Sequence, residues 1–173
     1  DKTPPLKQIK PLLKALSNYD AEKLICYPNA DTGSEIFIRE IEKYKKRNGF
    51  HVFKTLPRPQ YLSFLKHANL LVGNSSSGFI ESAYFKIPVV NIGTRQLGRT
   101  GGTNIIHAGY TEKEIKSTIH KALTPSFRAK ARRAKSPYGS GDVSGKIVKI
   151  LEKYFNLIDR YLCSFIRNSI KLS

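Results

Sequence analysis

Apolar and polar positions along the chain predict alternating helices and strands. Leu6, Ile9, Leu12, Leu13 and Leu16 recur at helical spacing over residues 5–16. Residues 23–27 form a short apolar run ended by Pro28-Asn29, which reads as a strand. A loop over 31–34, with Thr32 or Ser34 as candidate cap, leads to a helix over 35–47. That helix places Ile36, Phe37, Ile41 and Tyr44 on one face, and Asn48-Gly49 stops it. A strand over 51–54, a loop with two prolines over 55–60, a short helix over 61–67 and a third strand over 69–72 follow. Next come a helix over 79–85, a strand over 87–92, a polar segment over 93–103 and a strand over 104–107. Thr111 and Glu114 make a capping box for a helix over 111–123, ahead of a basic helix over 126–134. A glycine-rich turn over 136–141 precedes an apolar stripe over 143–170, which is one long amphipathic helix or two meeting near Asn156.

This alternation predicts an α/β fold, a Rossmann-like parallel sheet with helices on both faces, as one domain over residues 1–173. Ligands of such sheets lie beyond the carboxyl ends of the strands. Asn29 follows the first strand, Leu56 the second, Ser75 and Ser76 the third, and Arg95 the fourth. The expectation is one crevice lined by all of them. No GxGxxG dinucleotide fingerprint is present.

The stretch from Val72 to Thr100, VGNSSSGFIESAYFKIPVVNIGTRQLGRT, carries the most chemistry. Its turn, Gly73-Asn74-Ser75-Ser76-Ser77-Gly78, combines close backbone approach with hydroxyl and amide donors ahead of a helix start. Such a turn suits phosphate, and Asn74 or Ser75 as a plain helix cap reads equally well.

Composition narrows the field. The chain has 173 residues, 40% hydrophobic, enough for a globular core. The net charge of +17 favours anionic partners, although the runs at 43–47 and 128–135 also read as solvated helix faces. No aromatic pattern for base stacking accompanies the charge, so no nucleic-acid partner is expected. Cys26 and Cys163 have neither metal-ligand nor redox spacing and read as reduced thiols. No run approaches the length of a membrane span, and the amino end, DKTPPLKQIK, shows no signal peptide, which together suggest a cytoplasmic location and no membrane partner.

The segments VGNSSSGFIESAYFKIPVVNIGTRQLGRTGGTNII, YPNADTGS at 27–34 and PYGSGDVSGKIVKIL at 137–151 resemble the carboxyl-terminal half of UDP-N-acetylglucosamine 2-epimerases. The hydrolysing type used in sialic-acid-like sugar synthesis is the nearest in pattern. The resemblance implies a two-domain GT-B-like architecture with UDP in the cleft, this chain being the UDP-holding domain. It implies that Asn29 helps to hold the nucleotide sugar, that the Leu56 backbone reads uracil, that Ser75 and Ser76 bind the diphosphate, that Glu81 accepts the ribose hydroxyls, and that Arg95 lies near the nucleotide. Stacking of Tyr61 and Phe64 near uracil is the weaker alternative; as aromatics on a short helix they read rather as core.

The family's catalytic carboxylates belong to an amino-terminal half outside this sequence. No catalytic residue is therefore assigned here, and the chain alone is expected to be inactive. The tail motif has Ser140 where the family usually carries an acidic residue, and Glu35 stands where the animal enzymes have an effector-loop lysine. The implied reaction eliminates UDP from UDP-N-acetylglucosamine and adds water to give N-acetylmannosamine, with no metal or cofactor. The implied partners are UDP-N-acetylglucosamine or UDP, an amino-terminal epimerase domain, and a second copy in a homo-oligomer. A non-hydrolysing epimerase, half of a UDP-sugar glycosyltransferase, and a non-catalytic UDP-binding module remain alternatives.

Overall fold

The computed structural model describes residues 2–31, 33–139 and 141–170, with side chains through residue 161. Two compact bodies divide at Tyr138, one over Asp1–Tyr138 and the other over Gly139–Ser173.

The first body is α/β. Its elements are α1 (Pro5–Leu16), β1 (Lys23–Cys26), α2 (Ser34–Glu42), β2 (Phe50–Phe53), α3 (Arg58–His67), β3 (Leu71–Gly73), α4 (Ser77–Ile80), α5 (Ser82–Phe85), β4 (Val89–Ile92), β5 (Ile105–Ala108), α6 (Glu112–Leu123) and α7 (Pro125–Arg132). Every strand pairing is parallel, as the alternation requires, but the ladders are two: β1 with β2, and β3-β4-β5. One continuous sheet was the expectation. Among the described residues, β1 and β3 share no ladder.

Strand alternation sorts the side chains onto two faces. On one face Val72, Val90, Ile92, Ile106 and Ala108 pack with Ala15 of α1 and with Ile115, Ile119 and Ala122 of α6. On the other, Gly78 of α4 lies so close to the sheet that a Cβ there would stand 2.9 Å from Val89 Cγ1. β4 is buried throughout because helices cover both of its faces. The second apolar cluster sets Ile9 and Leu13 of α1 and Ile41 of α2 against Phe50 of β2. Leu12 and Leu16 touch both clusters, so α1 links the two ladders.

Three elements depart from their expected bounds. α2 ends at Glu42, five residues short of the expected end, and tight turns carry the chain through 43–47. Lys43, Lys46 and Arg47 would stack like charge at helical i, i+3 and i, i+4 spacing there. Its N-cap is Gly33 in the left-handed region rather than a side-chain cap from Ser34, and Thr32 lies outside the described residues. α3 starts at Arg58, not Tyr61, because Pro59 is compatible with a first helical turn. The helix expected over 79–85 is two four-residue turns that meet at Glu81, whose backbone (φ −105°, ψ −35°) stays in the right-handed region between them. The Thr111–Glu114 capping box is formed in full.

The second body is dominated by one unbroken helix, α8 (Val143–Ile170), so the chain does not break near Asn156. Its stripe residues Ile147, Leu151, Tyr154 and Ile158 are exposed. Ser140, Cys163 as a side chain, and the distal stripe residues Leu162, Phe165 and Ile166 lie outside the description of side chains.

Candidate functional site

Parallel strands deliver their following loops to the same edge, and here the loops after β1, β3 and β4 meet. Arg95, after β4, donates through Nη1 to the Asn74 carbonyl at 3.2 Å. Its Nη2 stands 3.5 Å from Asp31 Oδ2 in the loop after β1. Both partners are largely exposed, so that ion pair adds at most about 1 kcal/mol. Its significance is positional: it carries a cation to the serine turn.

Gln96 holds the same carbonyl more firmly. Its Nε2 donates to Asn74 O at 2.8 Å, and the residue is buried at 4% exposure. The GTRQ segment is thus clamped onto the turn by two adjacent donors. Gly93, at φ +73°, lets the chain leave β4 toward this clamp; a Cβ there would collide with the Tyr110 ring.

The turn itself is ordered from within. Ser77 N donates to Ser75 Oγ at 3.3 Å, and the carbonyls of Ser75 and Ser76 accept from Gly78, Phe79 and Ile80. Ser75 is exposed and Ser76 half-buried, and among the described residues the Ser76 hydroxyl has no bonded partner. Because α4 has only four residues, it supplies a few aligned N–H groups rather than a long macrodipole.

The loop after β2 reaches the turn through α3. Tyr61 Oη donates to Ser77 Oγ at 2.5 Å, and Arg58 Nη1 stands 2.9 Å from Glu81 Oε1. Burial, above all, pushes the Tyr61 phenol up; the bond to Ser77 opposes this. Phe64 packs against Phe53 with ring centroids 6.1 Å apart and stays 44% exposed, so it is a sheet-face aromatic. Glu81 lies at the break between α4 and α5, with its side chain 17% exposed.

Buried polar groups support this edge from behind. Ser82 Oγ donates to Gly78 O at 2.5 Å. Asn104, fully buried, donates to Ser82 Oγ and to Ile87 O, both at 2.8 Å. Asn91 donates to Gly93 O at 3.3 Å and lies 3.2 Å from His107 Nδ1.

Of the six residues singled out in the sequence, Ser75, Ser76, Glu81 and Arg95 thus belong to one linked group of loops. Leu56 sits two residues before Arg58 and is half-buried. Asn29 is exposed, its carbonyl accepts from Asp31 N at 2.7 Å, and among the described residues its side chain makes no hydrogen bond to the turn. Sequence reasoning passed over Gln96, Arg58, Tyr61's hydroxyl role and Asn104. The polar pair in GTRQ was a signal for Gln96; Pro59 was the signal that α3 starts at Arg58. Among the described residues, no group of three or more His, Cys, Asp or Glu is placed to hold a metal, and no helix is long and apolar enough to cross a membrane.

Comparison with known proteins sets this geometry in context. Residues 1–152 match the family described as UDP-N-acetylglucosamine 2-epimerase. The chain is similar to the UDP-N-acetylglucosamine 2-epimerase of Neisseria meningitidis serogroup B, 38% identical over 111 residues, which are 64% of this chain and 29% of that protein. It is also similar to the GDP/UDP-N,N'-diacetylbacillosamine 2-epimerase (hydrolyzing) of Campylobacter jejuni, 34% identical over 154 residues, which are 87% of this chain and 40% of that protein. In fold it resembles the Methanocaldococcus jannaschii UDP-GlcNAc 2-epimerase solved in complex with UDP-GlcNAc and UDP, with a TM-score of 0.67 and 17% identity over 85% of this chain and 40% of that one. The chain therefore spans well under half the length of these relatives. By the family match and this α/β fold, the chain belongs to the UDP-N-acetylglucosamine 2-epimerase family.

Proposed function

We propose that this chain is the UDP-holding domain of a hydrolysing UDP-N-acetylglucosamine 2-epimerase, and that its loop edge binds the nucleotide half of the substrate. The observation that carries the proposal is the clamp of Arg95 and Gln96 on the serine turn. It sets a cation beside the turn that carries the Ser75 and Ser76 hydroxyls and leads to the Glu81 carboxylate. That grouping suits a nucleoside diphosphate: hydroxyls and a guanidinium for the phosphates, a carboxylate for ribose hydroxyls.

In this reading Ser75, Ser76 and Arg95 hold the diphosphate, Glu81 the ribose, the Leu56 backbone the uracil, and Asn29 the nucleotide sugar. In the reaction a base removes the C2 proton of the sugar. The C1–O bond breaks, its electron pair leaves with UDP, and a C1–C2 double bond forms. Water then adds hydroxyl at C1 and a proton at C2, giving N-acetylmannosamine. This domain stabilises the charge that develops on the departing UDP. The reading assigns the general base to an amino-terminal epimerase half outside this sequence.

The test is calorimetric titration of the chain with UDP, then an assay for N-acetylmannosamine after an amino-terminal half is added. The reading expects weak UDP binding by the chain, no turnover by the chain alone, and turnover by the assembly. No binding of UDP at millimolar concentration would refute it, as would robust turnover by the isolated chain.

A further inference from the structure

Arg58 makes the best-formed ion pair near the turn, and the nucleotide reading gives it no task. Its Nη1 lies 2.9 Å from Glu81 Oε1; the arginine side chain is 73% exposed and the glutamate 17%. Three residues along α3, Tyr61 donates to Ser77 Oγ at 2.5 Å. Arg58 and Tyr61 share one face of α3, and Ser77 and Glu81 stand four residues apart on the opposing turn. The two contacts are rungs of one ladder. It joins the segment after β2, where Leu56 lies, to the turn after β3.

Resting on the function proposed above, we infer that Arg58 is a positioning residue for the ribose: it fixes the Glu81 carboxylate through one oxygen and leaves the other to accept ribose hydroxyls. Two physical demands support this. An ionised carboxylate offers about four acceptor positions. A single contact to Oε1 leaves Oε2, which has no partner among the described residues, free to accept. The second demand is charge. The guanidinium 2.9 Å away holds the carboxylate in one orientation through a charge-assisted bond, which a neutral side chain in its place does not supply. Tyr61 holds the backbone spacing by tying α3 to Ser77, so the guanidinium meets Glu81 at bonding distance.

The test compares UDP with 2′,3′-dideoxy-UDP by calorimetry, using the full chain, Arg58→Ala, Arg58→Lys and Tyr61→Phe. The chain should prefer UDP. Arg58→Ala should reduce that preference about tenfold, while dideoxy-UDP affinity changes less than about twofold. Arg58→Lys should restore part of the preference, since it returns the charge without the planar fork. Tyr61→Phe should fall between the chain and Arg58→Ala. Equal weakening of both ligands by Arg58→Ala, or no effect on either, would overturn the positioning role. So would an unmodified chain that binds UDP without ribose preference. An unmodified chain that binds no UDP overturns the nucleotide reading itself, and this is seen before any variant is compared.

Discussion

Asn104→Ala should destabilise the chain by about 2–3 kcal/mol, although the residue lies outside the ligand-facing loops. Its Nδ2 donates to Ser82 Oγ and to the Ile87 carbonyl, both at 2.8 Å, and the side chain is fully buried. Removing it strands the Ile87 carbonyl, a desolvated acceptor worth about 1–3 kcal/mol when unpaired. It also removes the bond to Ser82, about 1 kcal/mol, and opens a small void. A partial offset comes from Asn104 Oδ1, which is buried without a partner, so its loss costs nothing in pairing. In a chain of this length the expected shift is about 5–10 °C in Tm, read by circular dichroism. Urea titration should show a lower midpoint with an unchanged slope.

A double-mutant cycle with Ser82→Ala isolates the shared bond, with an expected coupling of about 1 kcal/mol. Asn104→Asp provides an isosteric control. It keeps the volume but turns an acceptor toward the Ile87 carbonyl, so it should cost more than Ala at neutral pH and recover as acid protonates the carboxyl and restores a donor. An Asn104→Ala cost below about 0.5 kcal/mol, or strict additivity with Ser82→Ala, would refute the argument.

The Ser75→Ala/Ser76→Ala double change should weaken UDP more than uridine in calorimetry, because it removes diphosphate donors alone; equal losses would contradict that role. Thr111→Ala should cost about 1 kcal/mol in chemical denaturation, since it removes the N-cap of α6. The side-chain bond from Thr111, and after it the backbone N–H, hold the Glu114 carboxyl below its ordinary 4.5. A depressed folded value means that this contribution is present above pH 4.5 and fades as the pH falls through the folded value, so Glu114→Gln should flatten that part of an acid-unfolding curve. In an assembly with the amino-terminal half, Glu81→Gln should mainly raise KM, since ribose contacts do not change during elimination. Arg95→Ala should lower kcat more, as its charge meets the departing diphosphate; steady-state kinetics separates the two.

Much of this fold is legible in the sequence because its signals are local. The bounds of α1 follow from apolar spacing, and the start of α6 from its capping box. Legibility fails where the deciding interaction is remote. Nothing in the apolar period of residues 79–85 announces a break at Glu81. The reason lies partly in Ser82, which donates back to Gly78 O and is itself held by Asn104, 22 residues away. The gap between β1 and β3 is of the same kind, because both ladders are parallel and hydrophobic and α1 packs on both. The loop convergence was readable without contacts, since parallel strands deliver their loops to one edge. Which side chains then pair across that edge was not, as with Arg95 reaching Asp31 across 64 residues of chain.

The break at Glu81 changes the physics of the anion site that the sequence suggested. A single helix over 79–85 would have aimed a growing macrodipole at the serine turn. A four-residue turn sums too few peptide dipoles to act that way, and the two turns meet at the very residue whose carboxylate adds negative charge. Hydroxyls alone do not neutralise a diphosphate, so positive charge must arrive from elsewhere. Arg95 brings it from the loop after β4, and Arg58 offsets Glu81 from α3. Both guanidiniums reach the turn from other elements, and both are set there by neighbours: Arg95 by Asn74 and Asp31, Arg58 by the ladder through Tyr61. In the proposed reading, the capacity of this edge for a diphosphate depends on packing among loops: buried Gln96 holds the Asn74 carbonyl of the serine turn beside Arg95, and buried Asn104 holds Ser82 behind Glu81.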